Sequence, residues 1–345
     1  METRTSPRIV VYKYDDLKSS GFDIHSYDKI IIYFSGGKDS IALFLYCLEQ
    51  GVVINKIEFF HHDIDGREGS TLMDWPITRG YVQKFASDWN VPVYFSWKKN
   101  GFEGEMLRQN SLTAPTIFED ENHNRIEIGG TRGTPSTRRK FPQVSPDLSV
   151  RWCSAYLKID IGAAAIRNQN RFNNSRTLVL SGERAQESAA RAKYNVLEPD
   201  RADNRAGRLK RHVDRFRPIK EWSETMVWEI IERHKVRVHP AYYMGWGRVS
   251  CLFCIFGNAN QWKSASIVSP QGIQKICGYE KEFDTTIKRK ESVEDLIQKG
   301  TPYEHMTPEL IQLARGEVYT ISTKMDMSET WILPAGAYGE SCGPT

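Results

Sequence analysis

Six consecutive residues carry the densest chemistry in this chain: Ser35-Gly36-Gly37-Lys38-Asp39-Ser40, directly behind the apolar run 29–34 and ahead of the apolar run 41–46. A β-branched run that ends in paired glycines and opens into an apolar segment predicts strand, tight turn, then helix. At such a junction backbone N–H groups and the helix dipole point at the turn, and the favoured guest is a phosphate. Gly36 and Gly37 let the backbone close around an anion where side chains would collide with it. Lys38 adds a mobile cation, and Ser35 and Ser40 add hydroxyls. The pattern is not Walker A, which needs an earlier glycine and a lysine followed directly by Ser or Thr.

Cysteine spacing is the second signal. The chain has six cysteines. In a protein expected to be cytoplasmic they are not read as structural disulfides. Cys251-Leu-Phe-Cys254 is a pair that a tight turn can aim at one metal. Cys277 follows, and Cys153 lies far upstream in Arg151-Trp-Cys-Ser154. These four thiols have the donor chemistry for a [4Fe–4S] cluster, with a structural zinc as the alternative and a buried, inert Cys277 as the plainer reading. Cys47, inside the apolar run after the loop, is read as core. Asp63, after a second apolar run, sits where a strand end would face a ligand; it is read as a holder of Mg²⁺ or its water, against a solvated turn carboxylate. His61 and His62 are adjacent and point to opposite faces of a strand, so neither is assigned a ligand role.

Two segments are cationic. Residues 131–140 contain Arg132, Arg138, Arg139 and Lys140 and no acid; residues 201–217 contain Arg201, Arg205, Arg208, Lys210, Arg211, Arg215 and Arg217 against Asp203 and Asp214. Clusters of this kind suit a phosphate backbone, with a solvated surface loop as the alternative. Arg132, Arg138, Arg139, Lys140, Arg208, Lys210 and Arg211 are the candidate nucleic-acid contacts.

The elements that must position these groups alternate. Strands are expected over 29–34, 52–60, 91–95 and 177–180, and helices over 78–89, 154–168 and 224–234. This predicts an α/β fold: a parallel sheet with helices on both faces, followed by a mostly helical, cysteine-containing C-terminal region. Residues 1–235 are read as the nucleotide domain, with a polar, basic insertion over 98–150 too long for an ordinary connection, and 236–345 as the C-terminal region. The chain has 345 residues, 40% of them hydrophobic and 11% aromatic, with a net charge of +4. That composition describes a chain with a sizeable core and excludes a disordered polyelectrolyte. Charges throughout the first thirty residues and the lack of a long apolar run lead to the expectation of a cytoplasmic protein without a membrane partner.

The loop Ser35–Ser40 after a first strand resembles the pyrophosphate (PP) loop of the adenine-nucleotide alpha-hydrolase superfamily, HUP-like proteins that cleave ATP between its α and β phosphates. Arg151-Trp-Cys-Ser-Ala-Tyr-Leu-Lys158 and Gly182-Glu-Arg-Ala-Gln-Glu-Ser-Ala-Ala-Arg191 resemble segments of the phosphoadenosine phosphosulfate reductase branch. Arg217-Pro-Ile219, Trp222, His239-Pro240, Gly245, Arg248 and the Cys251–Cys254 pair follow in that branch's order. The resemblance spans roughly residues 29–258, about two thirds of the chain. It implies ATP with Mg²⁺ at Ser35, Gly36, Gly37, Lys38, Asp39, Ser40, Gly182, Arg184, Glu187 and Arg191, with Lys38, Asp39, Asp63 and Arg184 at the reaction. Arg184 and Arg191 offer guanidinium forks to phosphate oxygens, and Glu187 is spaced to orient Arg191.

Two functions compete within the branch. A sulfonucleotide reductase attacks a sulfated nucleotide with a tail cysteine, and Cys342 near the C-terminus is a faint match. An ATP pyrophosphatase adenylates an acceptor oxygen that sulfur then replaces, and the intact loop with Lys38 favours it. Within that type the chain most resembles the DndC and SspD type of DNA phosphorothioation proteins. That resemblance implies an iron–sulfur cluster relaying sulfur, DNA as partner, a cysteine desulfurase as sulfur donor and other modification-complex subunits. A tRNA thiolation enzyme and an ATP-gated DNA-binding module of a defence system remain open.

Overall fold

The computed structural model describes residues 10–339. β1 (Lys29–Tyr33) is the central strand. Its Ile30, Ile31 and Ile32 are all fully buried. Ile30 and Ile32 pack on one face and Ile31 on the other, as alternation in a sheet covered on both sides requires. α1 (Lys38–Glu49), β2 (Ile57–Asp63), α2 (Thr78–Asp88) and β3 (Val93–Lys98) then build outward from β1 in one direction.

The chain returns through α3 (Gly101–Met106), the hairpin β4 (Thr116–Glu119) and β5 (Arg125–Ile128), and α4 (Trp152–Ser154). A wide helical turn over Ala155–Ile159 leads into α5 (Asp160–Arg167). β6 (Arg176–Leu180) then pairs with the opposite side of β1. α6 (Ala189–Ala192), β7 (Leu197–Pro199) and β8 (His212–Phe216) follow, and α7 (Glu224–Arg233) packs on α1.

The sheet order is β5-β4-β3-β2-β1-β6-β8-β7. The five strands from β3 to β8 are parallel, while β4, β5 and β7 run antiparallel at the two edges. The build-up direction reverses between β1 and β6, which makes that junction the topological switch point.

Two sequence expectations change. The polar stretch after residue 98 is not a bare insertion; it supplies α3 and two edge strands, and four-residue strands with polar outward positions leave little periodic signal. The second cationic segment contains β8, whose Val213 and Phe216 are fully buried. The region after α7 is helical as expected: α8 (Pro240–Tyr243), α9 (Ala259–Val268), α10 (Pro270–Phe283), α11 (Val293–Lys299) and α12 (Pro308–Arg315), with α9 touching each of the three that follow. No helix among the described residues is long and apolar enough to cross a membrane.

Candidate functional site

The loop after β1 takes its shape from its glycines. Gly36 has φ +79°, and a Cβ there would meet the Tyr81 ring at 3.2 Å, so both conformation and space require glycine. Gly37 caps α1. Ser35 Oγ accepts from the Gly37 amide at 3.3 Å, and Ser40 Oγ donates to the Gly37 carbonyl at 2.8 Å. Both hydroxyls thus hold the turn that the sequence predicts as a phosphate cradle.

Lys38 is 3% exposed. Its Nζ donates to the Gly247 carbonyl at 2.8 Å and pairs with Glu224 at 3.2 Å. It also lies 5.9 Å from the Trp228 ring centroid and 5.7 Å from that of Tyr242. Burial works against its charge, but Tyr242, Asp39 and Glu224 outweigh that and raise its pKa, so it is a firm cation.

The loop after β6 lies across the switch point. A Cβ on Gly182 would come 3.2 Å from that of Asp39, so glycine lets the two loops touch. Arg184, 4% exposed, pairs with Asp39 at 2.7 Å and donates to Gln186 Oε1 at 3.0 Å; that same oxygen accepts from the Glu224 amide at 3.0 Å. Lys38, Glu224, Gln186, Arg184 and Asp39 therefore form one continuous polar ring. Glu187 accepts from the Arg184 amide at 2.9 Å and pairs with Arg191, as the spacing predicts, although Ser188 breaks the helix between them and caps α6. Glu224 and Gln186 were not anticipated; α7's first residue gives no local sign of facing a loop nearly two hundred positions earlier.

Asp63 requires a correction. Its carboxylate accepts from Arg67 Nε at 2.8 Å and Arg79 Nε at 3.3 Å, with His61 Nε2 at 3.6 Å. Arg67 also reaches Glu119 at 2.8 Å and stacks 4.6 and 4.4 Å from the rings of Phe95 and Trp97. With its oxygens used this way, Asp63 is a structural anion and does not fit a Mg²⁺ holder. His61 and His62 do point apart: the first meets the Phe34 carbonyl at 2.8 Å, the second Ser96 Oγ at 2.7 Å.

Three of the four expected thiols share one electrostatic neighbourhood. Burial raises the pKa of Cys153 and, far more, of Cys251, and each is raised further by Cys254; Lys158 acts on both in the opposite sense. Burial disfavours the charge of Lys158, but Cys251, Cys153 and Cys254 together raise its pKa. Lys158 itself is exposed to solvent. Asp74 also faces Cys251, and burial pushes its pKa up to about 7.

Cys277 requires the second correction. It is 8% exposed on α10, and its charged neighbours are Glu294, Glu280 and Lys281. A four-thiolate site for either [4Fe–4S] or zinc is therefore not what the fold assembles. Among the described residues no group of three or more His, Cys, Asp or Glu side chains is disposed to hold a metal ion. Cys47 is fully buried core, and Cys342 lies outside the described residues.

The cationic segments divide. Arg211 is 4% exposed and donates to the carbonyls of Ala202 and Arg167 and to Asn173, so it is no surface contact. Arg138 pairs with Glu105 at 2.9 Å and stacks on Trp152, and Arg139 pairs with Glu282. Arg132, Lys140, Arg208 and Lys210 are exposed.

Residues 113–256 match the Phosphoadenosine phosphosulfate reductase domain, a segment that starts after the phosphate loop and ends just past the Cys251–Cys254 pair. An uncharacterized 37.8 kDa protein of Escherichia phage 186 is 25% identical over 320 residues, 87% of this chain and 88% of its own length. Adenosine 5'-phosphosulfate reductase of Allochromatium vinosum is 29% identical over 75 residues, 22% of this chain and 26% of the reductase. Two structures of Candida glabrata FMN adenylyltransferase, one with FAD and inorganic pyrophosphate and one with FMN and the ATP analog AMPCPP, align at TM-score 0.38 and 10% identity. They cover 84% and 87% of this chain and 74% and 77% of theirs. The likeness to the phosphoadenosine phosphosulfate reductase family is thus carried by the domain match over residues 113–256 and by one short stretch shared with a reductase.

Proposed function

We propose that this protein cleaves ATP to AMP and pyrophosphate to activate a backbone phosphate oxygen of DNA for replacement by sulfur, the chemistry of the DndC and SspD type. The observation that carries this reading is the phosphate loop at the β1–β6 switch point, with Lys38 and the Asp39–Arg184 pair beside it. ATP enters as its Mg²⁺ complex. A backbone oxygen attacks the α-phosphorus, the α–β bridging bond breaks, and pyrophosphate leaves. Lys38, the loop amides and Arg184 stabilise the charge that develops on the leaving group. Asp39 and Gln186 hold the Arg184 guanidinium in place, so less order has to be imposed during the reaction.

In the second half, a sulfur nucleophile attacks the activated backbone phosphorus, and AMP departs with the displaced oxygen. Sulfur supplied as a persulfide by a cysteine desulfurase balances this step when a second thiol takes the inner sulfur as a disulfide, which a cellular thiol reduces. Cys153, Cys251 and Cys254 are not disposed around a common metal position among the described residues, so a [4Fe–4S] cluster supplying labile sulfide would require these thiols to draw together. Iron and acid-labile sulfide analysis after anaerobic purification tests that part: about four of each per chain supports it, and zinc or no metal removes it.

The function is tested by supplying ATP, duplex DNA, cysteine and a cysteine desulfurase. AMP and pyrophosphate release together with nuclease-resistant, sulfur-containing dinucleotides is the expected result. AMP release with RNA but not DNA would move the acceptor to tRNA. The short reductase similarity favours a second reading, reduction of a sulfated nucleotide; sulfite release from such a nucleotide with no ATP cleavage would establish it instead.

A further inference from the structure

The phosphate loop and the segment leading to the cysteine pair share one buried hydroxyl. Tyr242, 1% exposed, accepts at its Oη from the Lys38 amide at 2.8 Å and from the Val249 amide at 3.4 Å. Lys38 belongs to the phosphate loop; Val249 stands two residues before Cys251. The other end of Lys38 reaches the same segment, through the bond from Nζ to the Gly247 carbonyl. A Cβ on Gly37 would come 3.5 Å from Tyr242 Oη and 3.6 Å from the Val249 carbonyl, so residues 247–249 pack directly on the loop. Just beyond, the chain is fastened again: the Ser250 carbonyl accepts from Trp75 Nε1 at 3.0 Å, and the Phe253 amide donates to the Met73 carbonyl at 3.2 Å.

We propose that Tyr242 is a positioning residue that transmits nucleotide occupancy of the phosphate loop to the Cys251–Cys254 segment. The proposal rests on the reading of that loop as an ATP site. A triphosphate carries several negative charges, whereas Lys38 Nζ is held by one carboxylate, Glu224, and one carbonyl, Gly247. Phosphate oxygens compete for both the ammonium and the Lys38 amide. As those bonds pass to the nucleotide, residues 247–249 lose the Lys38 tie and Tyr242 loses one of its two donors. The segment before Cys251 then settles into a second arrangement. The coupling is the difference in these contacts between the two arrangements, and it acts equally from either end. A sulfur-handling segment that responds to ATP in this way would present its thiols when an activated acceptor is available.

Hydrogen–deuterium exchange on the full chain, with and without Mg²⁺ and α,β-methylene-ATP, tests the proposal, because that analogue binds but cannot be cleaved between its α and β phosphates. The expected result is protection over residues 35–41 together with a change of about threefold or more in exchange over residues 247–255. Tyr242→Phe should keep the protection at 35–41 and lose the response at 247–255. Glu224→Gln, which leaves the hydroxyl in place, should tighten analogue binding about fivefold by releasing Lys38. Protection at 35–41 with no response at 247–255 in the native chain, or an undiminished response in Tyr242→Phe, overturns the coupling. No protection at 35–41 overturns the ATP reading itself, and the coupling with it.

Discussion

Asp39, in the first turn of α1 after β1, and Asp63, the last residue of β2, stand at the ends of adjacent parallel strands, and each carboxylate meets an arginine, at 2.7 and 2.8 Å. Their surroundings differ. Asp39 keeps a 21% exposed side chain and pairs with Arg184. Asp63 is 6% exposed and serves Arg67, Arg79 and His61, with Arg67 clamped between two aromatic rings and tied on to Glu119. The difference follows from topology. At the switch point, where open α/β sheets bind their ligands, the loops after β1 and β6 meet, with Gly182 against Asp39 and Arg184 on its carboxylate. On the other side, β2, β3 and β4 continue the sheet without reversal, and Arg67 bridges the carboxylates of Asp63 and Glu119. A carboxylate at a strand end is available for chemistry only where the fold has left it unspent.

The largest effect that would break this comparison is on catalysis. Lys38→Ala should lower pyrophosphate release about a thousandfold, roughly 4 kcal/mol of transition-state stabilisation, measured as AMP formed per minute. A loss under tenfold would mean that the loop is not where charge develops. Next is stability on the closed side. Arg67→Met removes the guanidinium shared by the buried carboxylates of Asp63 and Glu119 and should cost about 3 kcal/mol in urea unfolding, with AMP formation per folded molecule unchanged within about twofold. A stable variant that had lost its Mg²⁺-dependent activity would return Asp63's neighbourhood to the reaction.

A smaller effect concerns acid stability. His239 caps α8, accepting from the Ala241 amide at 3.2 Å, and burial pushes its pKa down to about 3. Above about pH 6.5 folded and unfolded chains both hold it neutral, and its contribution is intact. Below that pH the unfolded chain binds a proton that the folded one refuses. Stability is then lost at about 1.4 kcal/mol per pH unit, or about 2 kcal/mol by pH 5. His239→Asn, which can still cap, should flatten that slope between pH 6.5 and 5; an unchanged slope would assign it elsewhere, His62, half-buried, being another histidine whose pKa is pushed down to about 3. Smallest is the effect at the surface. Arg208→Ala and Lys210→Ala should each reduce the salt dependence of DNA binding by about one phosphate contact, while Arg211→Ala should lower stability instead. Equal effects on DNA binding from all three would erase the distinction between spent and unspent cations.

Several elements lie close to where apolar runs and their spacing put them: β6 starts one residue before its expected position, and α2 and α7 each end one residue short. β2 starts five residues after its expected position and β3 two, and the helix expected over 154–168 is interrupted by the wide turn at Ala155–Ile159. Short edge strands were not legible, because β5 alternates only two apolar residues with charged ones. The second cationic segment misled for a related reason. Seven basic residues in a row of seventeen resemble a surface, yet three of them pair with carboxylates beside β7 and β8: Arg215 with Asp200 at 2.6 Å, Arg205 with Asp214, Arg217 with Glu198 at 2.8 Å. The partners lie at nearby positions but become neighbours only when β7 and β8 pair.

By itself the sequence determined what local chemistry can determine. Paired glycines between a β-branched run and an apolar helix make a strand–turn–helix junction whatever surrounds them, because backbone conformation and amide direction are set within a few residues. A C-x-x-C turn likewise places two thiols together. Only the tertiary structure decided which charges stay available. It gave Lys38 to Glu224 and Gly247, brought Arg184 across to Asp39, closed Asp63 within its arginines, joined Cys153 to Cys251 and Cys254 around Lys158, and left Cys277 apart on α10. Each of those outcomes depends on residues dozens to hundreds of positions away, and whether a charge is spent or free is a property of the neighbours that burial imposes on it.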